Sequence, residues 1–171
     1  TIPEKPGSFK KFCSLIGKKS ITEFNYRYSD QKKAHVFVGI KLSNGIKDKN
    51  QILSNLKTNK YKVIDLTDNE VAKLHIRYMV GGVSNSASNE MIFRFIFPEK
   101  PGELFNFLNA VGSNWNISLF HYRNHGSDFG RVLIGIQVEP KDLSKLLRHL
   151  KTLNYEFFEE TTNKAYHLFL S

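Results

Sequence analysis

Cysteine is almost missing from this 171-residue sequence, where Cys13 stands alone and no internal disulfide can form. That sets aside the disulfide-stapled secreted folds and fits a reducing cytoplasm. Long apolar runs are missing too: no stretch approaches the ~20 consecutive apolar residues of a membrane-spanning helix, and no signal-peptide pattern precedes the first folded unit. Acidic residues are the scarcer charge, 16 against 25 basic, for a formal charge of +9. A basic excess can serve nucleic acid or an anionic surface. Here the lysines are dispersed (10–11, 18–19, 32–33, 57–62, 141–151) over expected helix surfaces and turns, which reads as solvated faces rather than a binding patch.

Catalytic signatures are equally sparse. There is no G-x-x-x-x-G-K phosphate loop, no G-x-G-x-x-G turn and no Ser-His-Asp arrangement. His121-x-x-x-His125 has metal-ligand spacing only on a helix, and here it spans a strand end and a turn with no cysteine or acidic cluster beside it, so no metal is expected. Cys13 falls on the apolar face of a helix and reads as a buried thiol.

What the chain does contain is a repetition. Ser20-Ile21-Thr22-Glu23-Phe24-Asn25-Tyr26-Arg27 recurs 96 positions later as Asn116-Ile117-Ser118-Leu119-Phe120-His121-Tyr122-Arg123. Pro3-Glu4-Lys5-Pro6-Gly7 recurs 95 positions later as Pro98-Glu99-Lys100-Pro101-Gly102, and Val36-Phe37-Val38-Gly39-Ile40 recurs at 96 as Val132-Leu133-Ile134-Gly135-Ile136. Order and spacing are both kept, as a duplicated domain requires. We read residues 1–80 as a first domain, 81–90 as a polar, glycine- and serine-containing linker, and 91–171 as a second domain.

Within each copy the periodicity gives strand, helix, strand, hairpin, strand, helix, strand. Residues 91–97 alternate Met91, Phe93, Phe95 and Phe97 onto one face, whereas the first copy retains only Thr1 and Ile2 of that strand. We therefore expect the sequence to be part of something longer, its first strand incomplete. Phe9, Phe12, Cys13 and Ile16 sit at helical spacing, as do Leu104, Phe107, Leu108 and Val111 ahead of Gly112. Third strands are expected over 35–42 and 131–138, second helices over 48–57 and 141–153, and closing strands over 61–66 and 155–159. Thr67-Asp68-Asn69-Glu70 reads as a capping box opening a helix with Val71, Leu74, Tyr78 and Met79 on one face. A shorter appendix, 163–170, ends the second copy. The β-α-β-β-α-β order predicts an α+β fold: two tandem ferredoxin-like units, each an antiparallel sheet with helices on one face. An RNA-binding plait shares that order, but its aromatic third-strand signature is absent from 34–40 and 130–136.

The Pro-Gly junctions open two readings. Gly7-Ser8-Phe9 and Gly102-Glu103-Leu104 can hold an amino acid's carboxylate at a helix N-terminus, or simply start helices. Tyr26-Arg27 and Tyr122-Arg123, with the matched Asn25 and His121, end strands near those junctions. They can line a ligand site or serve cross-strand packing.

Three segments then carry a resemblance: Ile-Thr-Glu-Phe-Asn-Tyr-Arg-Tyr at 21–28, Leu-His-Ile-Arg-Tyr-Met-Val-Gly-Gly at 74–82 and Trp-Asn-Ile-Ser-Leu-Phe-His-Tyr-Arg at 115–123. In that order, across essentially the whole chain, they resemble the C-terminal regulatory region of the biosynthetic threonine deaminase (threonine dehydratase) family. The resemblance implies a pair of ACT-like domains binding isoleucine as feedback inhibitor and valine as activator. It implies an upstream, pyridoxal-phosphate-dependent catalytic domain, a lyase that turns threonine into 2-oxobutanoate and ammonia in isoleucine biosynthesis. It also implies a cytoplasmic homo-oligomer, a tetramer for the full protein, with no catalytic residue, cofactor, nucleic acid or membrane partner in this region. It turns Gly7, Ser8, Phe9, Asn25, Tyr26, Arg27, Gly102, Glu103, Leu104, His121, Tyr122 and Arg123 into expected effector-site residues. An amino-acid sensor of another metabolic enzyme, or a basic nucleic-acid-binding plait, is the alternative.

Overall fold

The computed structural model describes residues 1–79, 81–111, 114–124, 126 and 128–170. The strands are β1 (Ile2–Pro3), β2 (Ser20–Arg27), β3 (Lys33–Ala34), β4 (Phe37–Lys41), β5 (Glu90–Pro98), β6 (Asn116–Arg123), β7 (Phe129–Gln137) and β8 (Glu156–Glu159). The helices are α1 (Ser8–Ile16), α2 (Gly45–Thr58), α3 (Glu70–Leu74), α4 (Glu103–Val111), α5 (Leu143–Lys151) and α6 (Lys164–Phe169), with single 3-10 turns at Ile76–Tyr78 and Pro140–Asp142. The fold is α+β, two tandem ACT-like units of ferredoxin-like order.

The two units share one sheet. Six strands run β4-β2-β6-β7-β5-β8, every described pairing antiparallel, and β1 pairs β3 separately. The duplicated strands β2 and β6 lie side by side at the centre, with Glu23 opposite Arg123, Asn25 opposite His121 and Arg27 opposite Leu119. Because Asn25 and His121 are also each other's repeat counterparts, an approximate two-fold axis passes between them. The flanking backbone bonds obey it: Tyr28 N–H donates to Ser118 O at 2.6 Å, and Asn124 N–H to Thr22 O at 2.8 Å, the same bond in the other copy.

Strand periodicity sends alternate side chains to opposite faces. Phe24, Tyr26, Phe120 and Tyr122 join Phe9, Phe12, Phe97 and Phe107 on the face covered by the long helices, where α1 packs beside α4 in one continuous core. Cys13 is buried there, and burial pushes its thiol up to about 12.

Four expectations change. Residues 61–66 form no strand. In the second unit the corresponding strand β8 pairs with β5, whereas among the described residues no strand pairs with 61–66. The expected strand over 35–42 is broken into β3 and β4 at His35 and Val36. Thr67 is not the helix cap. Asn69 is, its Oδ1 accepting from Ala72 N–H at 2.9 Å, while Thr67 is held by Asp65. Finally, the helix after it stops at Leu74, and Val71 and Leu74 are exposed with only Ala72 buried. Gly112 lies outside the described residues.

Candidate functional site

Each Pro-Glu-Lys-Pro-Gly segment turns the chain from a strand into a helix through a left-handed glycine, Gly7 at φ 83° and Gly102 at φ 85°, a conformation costly for any residue with a Cβ. The turn delivers a glutamate to the tyrosine of its own unit. Tyr26 donates its hydroxyl hydrogen bond to Glu4, and Tyr122 does the same to Glu99. Glu4 also accepts from Asn116 of the other repeat at 3.0 Å, and Glu99 accepts from Asn124 at 2.9 Å. Burial raises both phenols well above the ordinary tyrosine value, and the adjoining carboxylates raise them further, so both stay protonated donors. Burial also raises the Glu4 carboxyl, against the bonds from Tyr26 and Asn116. The junctions lie where the repeats meet. Asn116 reaches the first, and the second is so close to Lys18 that a Cβ on Gly102 would sit 3.3 Å from its Cγ. Gly130 leaves the room that Glu99 and Tyr122 occupy, a Cβ there falling 2.7 Å from Glu99 Oε2. One oxygen of Glu99 is buried without a partner among the described residues.

The arginines point the other way. Arg27 forms a two-pronged ion pair with Glu90, Nη1–Oε1 at 2.5 Å and Nη2–Oε2 at 3.1 Å, and donates to Gly82 O at 3.0 Å and Leu170 O at 2.5 Å. Arg123 lies 4.3 Å above the Tyr78 ring. Each duplicated arginine thus reaches into the other unit: Arg27 to β5 and the end of α6, Arg123 to the first unit's appendix. Asn25 donates to the Arg77 carbonyl at 3.3 Å, and Arg77 pairs with Glu23. The matched glycines of β4 and β7 admit the buried carboxylates. A Cβ at Gly39 would collide with Glu23 Oε2 and lie 2.6 Å from Thr22 Oγ1, and one at Gly135 would lie 2.7 Å from Glu90 Oε1. Gly39→Ala is accordingly expected to displace Glu23 from Arg77 and cost ~1–3 kcal/mol in urea unfolding.

The twelve residues expected from sequence therefore divide. Gly7, Ser8, Tyr26, Gly102, Glu103 and Tyr122 gather at the two junctions. Phe9 and Leu104 begin the helices as buried core, the Phe9 ring 4.9 Å from that of Tyr26. Asn25, Arg27, His121 and Arg123 belong to the opposite face of the sheet, although Asn25, Tyr26 and Arg27 all border a cavity of ≈ 730 Å³ beside β4. Ser8 and Glu103 already bind Lys5 and Lys100 carbonyls through their amides. Glu103 also accepts from Tyr155 at 2.9 Å, beside a cavity of ≈ 440 Å³. Sequence reasoning passed over Glu4 and Glu99. The signal was there, since both copies of the junction carry the same glutamate. His125 lies outside the described residues. Among those described, no three His, Cys, Asp or Glu side chains gather as a metal site, and no helix is long and apolar enough to cross a membrane.

Comparison with known proteins fits this architecture. An aspartate kinase from Synechocystis shares the fold, with a TM-score of 0.55 and 11% identity over 92% of this chain and 27% of that one. The chain is 50% identical over 171 residues to the biosynthetic L-threonine dehydratases of Escherichia coli and Burkholderia multivorans, covering 33% and 34% of their lengths. It is 40% identical to the mitochondrial threonine dehydratase of Saccharomyces cerevisiae, over 99% of this chain and 31% of that protein. The chain thus spans about a third of the length of these relatives. The family model described as the C-terminal regulatory domain of threonine dehydratase matches residues 1–76 and 81–170, both repeats nearly end to end, and the chain belongs to that family.

Proposed function

We propose that this region binds branched-chain amino acids, isoleucine as inhibitor and valine as activator, at the two Tyr–Glu junctions, and relays their presence to an upstream catalytic domain. That domain is the pyridoxal-phosphate-dependent lyase converting threonine to 2-oxobutanoate and ammonia. The cofactor resides there, and no residue of this region has a part in holding it. Residues 1–80 and 91–171 act as the two regulatory domains, joined by 81–90, within a cytoplasmic homo-oligomer. The observation that carries the reading is the duplicated junction: tyrosine hydroxyl, glutamate carboxylate and left-handed glycine, placed twice where one repeat meets the other. A carboxylate beside a hydroxyl suits an effector's ammonium group, and the first turn of α1 or α4 suits its carboxylate.

Isoleucine and valine differ by one methylene, worth about 0.8 kcal/mol when buried and roughly 1–3 kcal/mol in a close-fitting pocket. That difference sets affinities, not opposite responses. Opposite responses need two arrangements of the paired units, each favoured by one ligand, with a coupling of roughly 1–3 kcal/mol. The shared sheet supplies a body that both junctions can bias.

Calorimetric titration tests the assignment. Tyr26→Phe and Tyr122→Phe keep the buried rings and delete only the hydroxyls. Each is expected to weaken binding at its own junction by about ten-fold or more, a hydrogen bond to a charged group being worth ~1.5–3 kcal/mol. Unchanged isoleucine and valine affinities in both variants, and in Glu4→Gln and Glu99→Gln, would remove the effector from the junctions.

A further inference from the structure

The two junctions are not wired alike. At the first, both oxygens of the Glu4 carboxylate are engaged, and by different units. Tyr26 of the first unit donates to Oε2, and Asn116 of the second donates to Oε1 at 3.0 Å. At the second junction the donors to Glu99 among the described residues are Tyr122 and Asn124, both of its own unit and both on Oε1. Oε2 is the oxygen left without a partner there. The asymmetry is written in the sequence. The repeat counterpart of Asn116 is Ser20 and that of Gln137 is Lys41, and the two pairs face one another in equivalent ladders. A serine hydroxyl has one hydrogen to donate, whereas a carboxamide has two.

Asn116 serves two acceptors. Its amide nitrogen also donates to the Gln137 side-chain oxygen at 3.0 Å, and the Gln137 amide donates in turn to the Ser88 carbonyl at 3.4 Å. Gln137 lies opposite Asn116 in the β6–β7 ladder and opposite Glu90 in the β5–β7 ladder. Glu90 holds Arg27. A continuous run of hydrogen bonds therefore leads from the first unit's junction, across the seam, to residues 88–90.

We propose that Asn116 is a positioning residue that couples the first junction to the second unit and to residues 88–90, with no side-chain counterpart at the second junction. This rests on the reading of the junctions as effector sites. An effector's ammonium brings a charge to Glu4 where Asn116 offers a neutral N–H, and the charged donor forms the stronger bond. The carboxylate turns to it, Asn116 loses its hold on the first unit, and Gln137 moves with it because one amide serves both acceptors. Linkage makes the coupling reciprocal: whatever shifts Gln137 or residues 88–90 alters affinity at the first junction.

The test titrates isoleucine, and separately valine, into an isotope-labelled chain carrying Glu99→Gln, by calorimetry and NMR in parallel. The first junction is then the intact one. Saturation is expected to move the side-chain amides of Asn116 and Gln137 and the backbone amides of residues 88–90 along the calorimetric isotherm. Adding Asn116→Ser, the residue type that the first repeat carries, is expected to abolish the shifts at Gln137 and 88–90 while saturable heat persists. Gln137→Met keeps the Glu4–Asn116 bond and cuts the far one, so residues 88–90 fall silent while Asn116 still responds. A role confined to packing around Glu4 would leave 88–90 responding in that variant. Residues 88–90 that stay still as the first junction fills, or that respond equally in Asn116→Ser, would overturn the proposal. Heat in the parent chain that disappears in Glu99→Gln overturns it too, by leaving the first junction empty. No heat in either chain removes the reading of the junctions as well.

Discussion

Glu90→Ala is expected to destabilise this chain by about 3–5 kcal/mol, because it strands a buried guanidinium rather than merely deleting a contact. The Glu90 and Arg27 side chains are 5% and 9% exposed. Around them Ser118 donates to one carboxylate oxygen and Tyr166 to the other, the latter at 2.7 Å. Removing the carboxylate leaves Arg27, among the described residues, with the Gly82, Ser118 and Leu170 carbonyls and leaves the two hydroxyls without their Glu90 acceptor. Urea unfolding measures the loss, and for a chain of this size it corresponds to roughly 10 °C in Tm. The double variant Arg27→Met/Glu90→Leu is expected to lose far less, since a buried pair replaced whole by apolar side chains is often close to neutral. A double variant as unstable as Glu90→Ala would mean that the site depends on shape alone.

The same group sets an acid limit. Burial pushes the Glu90 carboxyl up, but the bonds from Arg27, Ser118 and Tyr166 and the Arg27 charge outweigh it and hold the group below the ordinary glutamate value of 4.5. A depressed folded value contributes stability that is fully present above the unfolded value and is lost as pH falls through the folded one. Glu90→Gln, which carries no titratable group, is expected to flatten this part of the stability profile below about pH 4.5 relative to the parent chain.

The duplication made most of this legible beforehand. Apolar period gave α1, α4 and β5 because each buries one face against a single core. Identical Tyr-Arg strands gave the two-fold logic but not its consequence: that β2 and β6 pair with each other is a tertiary choice which neither strand's pattern encodes. Tyr26 and Arg27 are adjacent in sequence, yet a strand sends their side chains to opposite faces, which sequence adjacency alone does not display. Residues 61–66 have the composition of a strand and no partner to make one. Glu4 and Glu99 sit in turns rich in proline and glycine, where backbone geometry already accounts for the sequence. Only the repetition of the glutamate marked it as more.

Phe120→Ala should have the other large effect, and its character should differ from that of an ordinary core deletion. Phe120 is wholly buried at the seam of the repeats, its ring 5.1 Å from Phe24 and 6.1 Å from Phe9 in the first unit and 6.4 Å from Phe107 in the second. Truncation removes a large aromatic side chain from a closed interior, which costs ~3–5 kcal/mol. Phe93→Ala, equally buried but ringed by Phe95 and Phe157 within the second unit, is expected to cost a similar amount. The two should separate in cooperativity. Trp115, beside His149, reports on the second unit, while far-UV circular dichroism reports on both. The transitions should coincide in the parent and in Phe93→Ala, and should part in Phe120→Ala, where the second unit no longer unfolds with the first. Coinciding transitions in Phe120→Ala would place the coupling in the β2–β6 ladder and the Arg27–Glu90 pair instead. In either outcome the coupling between the two units is located by measurement, because units that unfold independently share no packed element through which one could bias the other.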